Sequence, residues 1–209
     1  MSMPFPKLQR NLVAILRGLK PEEAVDVASA IYDAGIEAIE VPLNSPDPFR
    51  SIEAVARQLP GALLGAGTVL KAGEVDRLHA AGGRLLVSPN IDADVMRQAA
   101  RHGLVTMPGV FTPTEAFQAL SLGASALKFF PASVLGPGGI AAIRAVLPAD
   151  ATVGVVGGVS EADFAAYAKV GVRTFGLGSS LYKPGLSAAA VGERAAAAVE
   201  AWDQVFANQ

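Results

Sequence analysis

The stretch LVAILRGLKPEEAVDVASAIYDAGIEAIEVPL, residues 12–43, shows the pattern on which the fold prediction depends. Two apolar runs, LVAILRG (12–18) and AIEVPL (38–43), flank a segment that begins with a proline and two acidic residues and ends on Gly35. Short apolar runs bounded by turn residues are typical of buried strands, whereas the proline and acids at the start and the glycine at the end are signals of a helix. The stretch therefore predicts a strand, a helix and a second strand.

The same alternation continues along the rest of the chain. Helix-like segments such as DADVMRQAARHG (92–103) and TPTEAFQALSLG (112–123) start on an Asp or Thr N-cap and end on a glycine. The Ala-rich segment 187–206 is interpreted as a closing amphipathic helix. The further strand-like runs are LLGAGTV (63–69), RLLVSP (84–89), VTMPGV (105–110), ALKFFP (126–131), TVGVVGGV (152–159) and TFGLGS (174–179).

Nearly continuous apolar strands, each followed by a helix, indicate a parallel sheet covered by helices. Eight such units predict an α/β fold, a single (β/α)8 TIM barrel domain over residues 1–209. The alternative is an open doubly wound sheet. Its dinucleotide-binding version has little support, because RGLKPEE (17–23) stands where a G-x-G-x-x-G motif would open the first helix.

Composition excludes several classes of function. The 209 residues are 51% hydrophobic, enough for one sizeable core, and the net charge of −2 argues against nucleic-acid or membrane-surface partners. There is no cysteine, which excludes disulfides and thiolate chemistry. The start of the chain, MSMPFPKLQR, has no signal-peptide pattern, so a cytoplasmic location is expected.

Lys128 stands inside one of the predicted buried strands. Lysine is rarely buried unpaired, because removing an ammonium group from water costs several kcal/mol. Side chains alternate along a strand, so Lys128 shares a face with Ala126 and Phe130, and Glu40 shares one with Ala38 and Pro42. If both faces point inward at the carboxyl ends of the strands, an amine and a carboxylate meet where barrels carry their active sites.

Two interpretations of this pair follow. In the first, burial lowers the pKa of Lys128, and the neutral amine forms a Schiff base with a carbonyl substrate while Glu40 moves protons. An iminium is an electron sink, so it supports making and breaking carbon–carbon bonds next to a ketone. In the second, the two residues form a buried ion pair that only fixes the core. The clustering of perturbed buried groups at functional sites favours the first interpretation.

Two glycine-containing motifs end the last two predicted strands. Gly157 and Gly158 precede Ser160, which can cap a helix, and Gly178 and Ser179 are expected to lead into another helix in the same way. Backbone N–H groups in such loops bind phosphate, and barrels often place that site after strands seven and eight. Glycine also marks ordinary tight turns.

Other polar residues have simpler interpretations. Thr68 offers a hydroxyl at a strand end, or else a cap for the helix that begins near Lys71. His79 and His102 are expected on the outer faces of helices, so a metal site is not predicted.

The motifs AILRG, IEVPLNSP, GAGTVL, VSPN, MPGV, ALKFFPAS, VVGGV and GLGSSLY, in this order along nearly the whole chain, resemble the class I 2-keto-3-deoxy-6-phosphogluconate/galactonate aldolases. The resemblance implies a (β/α)8 barrel, usually a homotrimer, with no metal or organic cofactor. It implies cleavage of a phosphorylated keto acid to pyruvate and glyceraldehyde 3-phosphate. EVPLNS and VVGGV are closer to the galactonate branch than to the gluconate branch, which typically has EVTLRT and PTGGI.

The resemblance also implies a role for each matched residue. Lys128 would be the Schiff-base lysine and Glu40 the general acid/base. Arg17 and Thr68 would hold the pyruvoyl carboxylate and neighbouring oxygens, Pro89 would shape the pocket wall, and Val156 would face the C4 hydroxyl. The residues that would bind phosphate are Gly157, Gly158, Gly178 and Ser179. Remaining alternatives are the gluconate epimer as main substrate, a bifunctional enzyme, a metal-dependent aldolase, and a non-catalytic phosphate-binding barrel.

Overall fold

Strands and helices alternate along a computed structural model that describes residues 2–206. The strands are β1 (Leu12–Ile15), β2 (Ala38–Pro42), β3 (Leu63–Gly67), β4 (Leu85–Val87), β5 (Val105–Met107), β6 (Gly109–Val110), β7 (Leu127–Phe129), β8 (Val153–Val156) and β9 (Thr174–Leu177). The helices are α1 (Pro21–Asp33), α2 (Pro48–Gln58), α3 (Ala72–Ala80), α4 (Ala93–Arg101), α5 (Pro113–Ser121), α6 (Ala132–Arg144), α7 (Phe164–Ala168) and α8 (Ala188–Phe206). A 3-10 turn, Glu161–Asp163, precedes α7.

All strand pairs are parallel, in the order β5-β4-β3-β2-β1-β9-β8-β7-β6. The two outer strands, β5 and β6, belong to one continuous segment, so the sheet returns on itself as a nearly closed barrel. The predicted barrel is confirmed, and the open sheet is wrong.

The predicted strand 105–110 differs from the expectation, because it is two strands divided at Pro108. Met107 accepts a hydrogen bond from the Ser88 amide on one side (3.4 Å), and Pro108 accepts one from the Lys128 amide on the other (3.0 Å). Proline has no N–H to donate, which interrupts the ladder at this point. The interruption lies beside Lys128.

The helix boundaries follow the predicted start and stop signals. Thr112 caps α5 in a capping box with Glu115, and the Asp92 carboxylate accepts from the Asp94 and Val95 amides at the start of α4. Gly35, which ends α1, has a φ of 102°, a conformation that favours glycine. The predicted closing helix is α8.

Apolar side chains form two layers. The larger layer lies between the sheet and the helices, and a smaller one fills the barrel. Phe5 and Leu8, from the segment before β1, pack against the inner layer. Ala38, Ala126 and Phe130 belong to this inner layer, so the strand faces that carry Glu40 and Lys128 point into the barrel as predicted.

Candidate active site

Lys128 and Glu40 face each other across the barrel. Lys128 lies on β7 and Glu40 on β2, and three strand positions separate them in either direction around the ring. Their exposed fractions are only 6% and 2%. The barrel therefore brings an amine and a carboxylate to opposite walls of one interior.

The two side chains do not form a direct ion pair. Among residues 2–206, the close ion pairs do not include Lys128 or Glu40, and the buried Oε2 atom of Glu40 has no hydrogen-bond partner. Lys128 Nζ lies 4.7 Å from the centre of the Phe130 ring. An ion pair that only stabilises the core would have its charged atoms in contact. The separation of the two groups therefore favours the interpretation in which Lys128 and Glu40 act on a substrate between them.

Burial shifts both groups toward their neutral forms. Burial raises the pKa of Glu40 to about 7, and the charges of Lys128 and Arg17 oppose the rise. Burial lowers the pKa of Lys128, the Glu40 charge opposes this, and the Arg17 charge adds to it. A neutral amine is a nucleophile, and a carboxyl group with a pKa near neutrality can both donate and accept a proton.

Arg17 lies directly beyond β1, the neighbour of β2. Ile15 pairs with Glu40 in the sheet, so Arg17 is two residues further along toward the carboxyl end. Its side chain is exposed, and Arg17 Nη1 donates to Asn44 Oδ1 at 2.7 Å. Its position beyond the carboxyl end of β1 puts Arg17 at the mouth of the barrel, and its charge lowers the pKa of both Glu40 and Lys128.

Thr68 follows β3 in an unusual backbone conformation. Its φ is 56°, which is uncommon for a β-branched residue and is found at positions where surrounding structure holds the strain. The alternative role as a helix cap is wrong, because α3 starts at Ala72 and Glu74 accepts the Leu70 and Lys71 amides there. Thr68 is half-buried, and its hydroxyl makes no hydrogen bond within residues 2–206.

Pro89 lies just beyond β4 and is half-buried. The preceding Ser88 is buried, and its hydroxyl donates to the Asn90 carbonyl at 2.7 Å. This bond fixes the turn that carries Pro89.

A cleft of about 510 Å³ opens at the carboxyl ends of β1, β8 and β9. It contains the predicted residues Arg17, Val156, Gly157, Gly158, Gly178 and Ser179. Phe130, which touches Lys128, lines the same cleft, so the cleft adjoins the buried lysine. Thr68, Pro89, Glu40 and Lys128 are not part of its wall.

The two glycine loops differ from one another. Gly157 and Gly158 have φ values of 92° and 72° and lead, through Ser160 hydrogen-bonded to Asp163, into the 3-10 turn and α7. The expectation that Gly178 and Ser179 also open a helix is wrong. The Leu181 and Tyr182 amides both donate to the Gly178 carbonyl at 2.9 Å, which closes a single turn, and the next helix starts only at Ala188.

Lys183 and Pro184 also line the cleft, and sequence reasoning did not single them out. They lie in a loop after that single turn, and a lysine in a loop has no periodicity that would distinguish it from a solvated one. Lys183 and Pro184 could have been identified only from their position in the sequence, because LYKPG directly follows the predicted phosphate loop.

The histidines lie outside the barrel, as expected. The rings of His79 and His102 stack with their centres 4.3 Å apart, and His102 Nε2 lies 2.6 Å from Asp76 Oδ1. Between residues 2 and 206, no three His, Asp or Glu side chains are grouped closely enough to hold a metal ion. No helix in that range has the length and apolarity to cross a membrane.

Comparison with known proteins finds chains of similar sequence and fold. Residues 7–191 match the family model of KDPG and KHG aldolases. The chain is 62% identical over 208 residues to a probable 2-dehydro-3-deoxy-6-phosphogalactonate aldolase of Rhizobium meliloti (strain 1021), covering 99% of this chain and 98% of the relative. It is 47% identical to the 2-dehydro-3-deoxy-6-phosphogalactonate aldolase of Escherichia coli (strain K12), covering 91% and 94%. A solved structure described as native KDPGal superposes with a TM-score of 0.95 at 45% identity, covering 98% of this chain and all of that one.

Proposed function

The chain belongs to the KDPG and KHG aldolase family, and we propose that it cleaves 2-dehydro-3-deoxy-6-phosphogalactonate to pyruvate and D-glyceraldehyde 3-phosphate. The observation that carries the proposal is the buried Lys128 facing an unpaired Glu40 across the barrel, beside a cleft with two glycine loops. It is an aldolase, a carbon–carbon lyase, and the proposed mechanism is a Schiff base on Lys128.

The first half of the reaction attaches the substrate to the enzyme. Neutral Lys128 Nζ attacks the C2 ketone and forms a carbinolamine. Protonated Glu40 gives its proton to the C2 hydroxyl, which leaves as water, and the iminium remains. The shifted pKa values of both groups suit these steps, because the amine must be unprotonated and the carboxyl protonated at neutral pH.

The second half breaks the C3–C4 bond. The Glu40 carboxylate accepts the proton of the C4 hydroxyl, C4 becomes the aldehyde carbon, and the bonding electrons move into the enamine. Glyceraldehyde 3-phosphate leaves, and Glu40 returns the proton to C3. Water then adds to the iminium carbon and passes a proton to the Glu40 carboxylate, and the carbinolamine collapses to pyruvate and neutral Lys128. Glu40 is again protonated, as at the start of the cycle.

The remaining site residues hold the two ends of the substrate. Arg17 and Thr68 bind the pyruvoyl carboxylate, and Pro89 forms part of the wall around it. The phosphate occupies the cleft, where amides of the glycine loops and the Lys183 ammonium complement its charge. Ligands for the phosphate are Gly157, Gly158, Gly178, Ser179 and Lys183.

The galactonate epimer is preferred in this proposal for two reasons. The relatives with high identity carry that name. In addition, the wall beside Gly157 is Val156, which has no hydrogen-bonding group to select the gluconate epimer at C4.

The working form is proposed to be a cytoplasmic homotrimer. The described surface carries exposed large apolar side chains that a subunit interface would cover, among them Leu70, Phe111 and Val134. A cytoplasmic location fits a substrate that is a phosphate ester, because such an anion does not cross a bilayer unaided. Light scattering after size-exclusion chromatography measures the mass of the particle in solution. The mass of three chains is expected, and the mass of a single chain would contradict the proposed trimer.

Borohydride reduction in the presence of pyruvate tests the catalytic proposal. The reduced adduct is expected on the peptide containing Lys128 in the wild type and in the control Lys169→Met, an exposed lysine, and to be absent in Lys128→Met. Pyruvate release is then assayed with both epimers, with and without a chelator. Phosphate binding without an adduct would indicate a non-catalytic barrel, and activity lost to the chelator would indicate a metal-dependent aldolase.

A further inference from the structure

We propose that Asn44 is a positioning residue that holds the Arg17 guanidinium in the orientation needed for the substrate carboxylate. The inference rests on the proposed function, in which Arg17 binds that carboxylate. Asn44 belongs to the turn after β2, and Arg17 belongs to the loop after β1, so two neighbouring strands present them side by side.

The contact between them leaves most of the guanidinium free. Arg17 Nη1 donates to Asn44 Oδ1 at 2.7 Å, a short hydrogen bond for a nitrogen donor. A guanidinium carries five N–H donors in a planar fork, and this is the only hydrogen bond that Arg17 makes to residues 2–206. Fixing one edge of the plane therefore directs the remaining donors without using them.

The next residue, Ser45, fixes the backbone that carries Arg17. Ser45 is buried, and its Oγ accepts from the Gly18 amide at 2.9 Å. On the other side, Gly18 packs against Pro184, whose Cγ would lie 2.7 Å from a Cβ at position 18. Since the backbone of the neighbouring Gly18 is held on both sides, the orientation of the Arg17 side chain is the freedom that Asn44 removes.

A neutral acceptor suits this task better than a carboxylate. An aspartate at position 44 would hold the guanidinium more tightly through a charge-assisted bond. It would also offset the positive charge that the substrate carboxylate must meet. The amide oxygen of Asn44 orients Arg17 and leaves its charge in place.

A double-mutant cycle tests this inference, with Asn44→Ala, Arg17→Ala and the double variant. The readouts are the pyruvate concentration that gives half-maximal borohydride trapping on Lys128, and KM and kcat for cleavage. Asn44→Ala is expected to raise the half-saturating pyruvate concentration and KM by about fivefold while kcat changes by less than about twofold. In the Arg17→Ala background the same change is expected to have no further effect.

Two more variants sharpen the test. Asn44→Asp keeps an acceptor of the same shape. It is expected to weaken pyruvate binding as Asn44→Ala does, because the aspartate charge offsets that of Arg17. If Asn44 only stabilised the fold, Asn44→Asp would instead bind pyruvate like the wild type. Asn11→Ala, at the opposite end of β1, is the control and should leave both readouts and the Tm unchanged.

Additive effects of Asn44→Ala and Arg17→Ala would overturn the inference, as would full pyruvate affinity in Asn44→Asp. Failure of the proposed function looks different. In that case the wild type forms no adduct on Lys128 at any pyruvate concentration, and the positioning role is lost with it.

Discussion

Gly67 leaves the space that the Glu40 carboxylate occupies. A Cβ placed on Gly67 would overlap both carboxylate oxygens of Glu40. The two residues lie on adjacent strands, β3 and β2, and both are buried. Glycine is thus required at position 67 by a close approach, because even the smallest side chain would displace the Glu40 carboxylate from its place in the barrel.

Gly67→Ala is accordingly expected to lower kcat by at least about tenfold, because a displacement of about 1 Å is costly in an oriented site. Overpacking is also expected to reduce the free energy of unfolding by about 1–3 kcal/mol. Steady-state kinetics and thermal unfolding measure the two effects.

Gly73→Ala is the matched control. No heavy atom lies within 4 Å of a Cβ at that position in the first turn of α3. It should keep full activity and gain up to about 1 kcal/mol from helix propensity. Equal activity in the two variants would show that the position of the Glu40 carboxylate is not critical.

Glu40→Gln keeps the shape of the side chain and removes the proton carrier. We expect turnover to fall about 10²–10⁴-fold, the usual contribution of one general acid/base, with less effect on pyruvate binding. The wild-type kcat/KM should decline as the pH rises through about 7, because this parameter reports the free enzyme, in which Glu40 must carry the proton that it gives to the carbinolamine hydroxyl. Glu37→Gln, just before the same strand, is the control, and near-full turnover in Glu40→Gln would assign proton transfer to another group.

Glu40→Gln also changes how the stability of the protein depends on pH. Burial raises the folded-state pKa of Glu40 from 4.5 to about 7, so the folded protein binds this proton more tightly than the unfolded chain does. The resulting stabilisation is complete below the unfolded pKa and is lost as the pH rises through about 7. The Tm of Glu40→Gln, relative to wild type, should therefore increase between about pH 5 and about pH 8, and parallel Tm curves would contradict the raised pKa.

The sequence predicted the barrel and its central pair because both depend on regular patterns. Once the runs around Glu40 and Lys128 are assigned as strands, period-two alternation fixes the faces that carry them. Helix ends were equally predictable where capping chemistry is local, as at Thr112 and Asp92.

What the sequence did not predict depends on how separate segments meet. The break at Pro108 lies where one segment passes from pairing with β4 to pairing with β7. The separation of Lys128 from Glu40 follows from their positions on opposite strands. The contacts of Asn44, Lys183 and Pro184 lie in loops, where neither periodicity nor capping gives a signal.

Lys183→Met tests the phosphate end of the site. Lys183 lines the cleft beside the glycine loops, so its ammonium group is expected to attract the phosphate dianion. We expect KM for the phosphorylated substrate to rise about fivefold, with a smaller difference from wild type at high salt. Pyruvate has no phosphate, so trapping on Lys128 should be unchanged. An equal loss of pyruvate trapping would place Lys183 at the carboxylate end instead, and Lys169→Met again serves as the control.

Val156→Thr tests the selection between epimers. Val156 is 6% exposed at the end of β8, and its side chain packs over Gly176 beside Ile15 at the wall of the cleft. A site that bonds a hydroxyl discriminates strongly, whereas an apolar wall that merely faces one discriminates weakly. Valine at this position is therefore expected to abolish a preference for the gluconate epimer. It is not expected to create a strong preference for the galactonate epimer.

Val156→Thr introduces a hydroxyl that can hydrogen-bond the C4 hydroxyl of the gluconate epimer, and it leaves the shape of the side chain nearly unchanged. We expect kcat/KM for 2-dehydro-3-deoxy-6-phosphogluconate to rise relative to the galactonate epimer by about fivefold, the worth of one net hydrogen bond of about 1 kcal/mol. Val146→Thr, on an exposed valine after α6, controls for the change of residue type. The ratio of kcat/KM values for the two epimers, with pyruvate release as the signal, decides the question. An unchanged ratio would mean that Val156 does not face C4, and selection would then have to arise from the Arg17 and Asn44 end of the site.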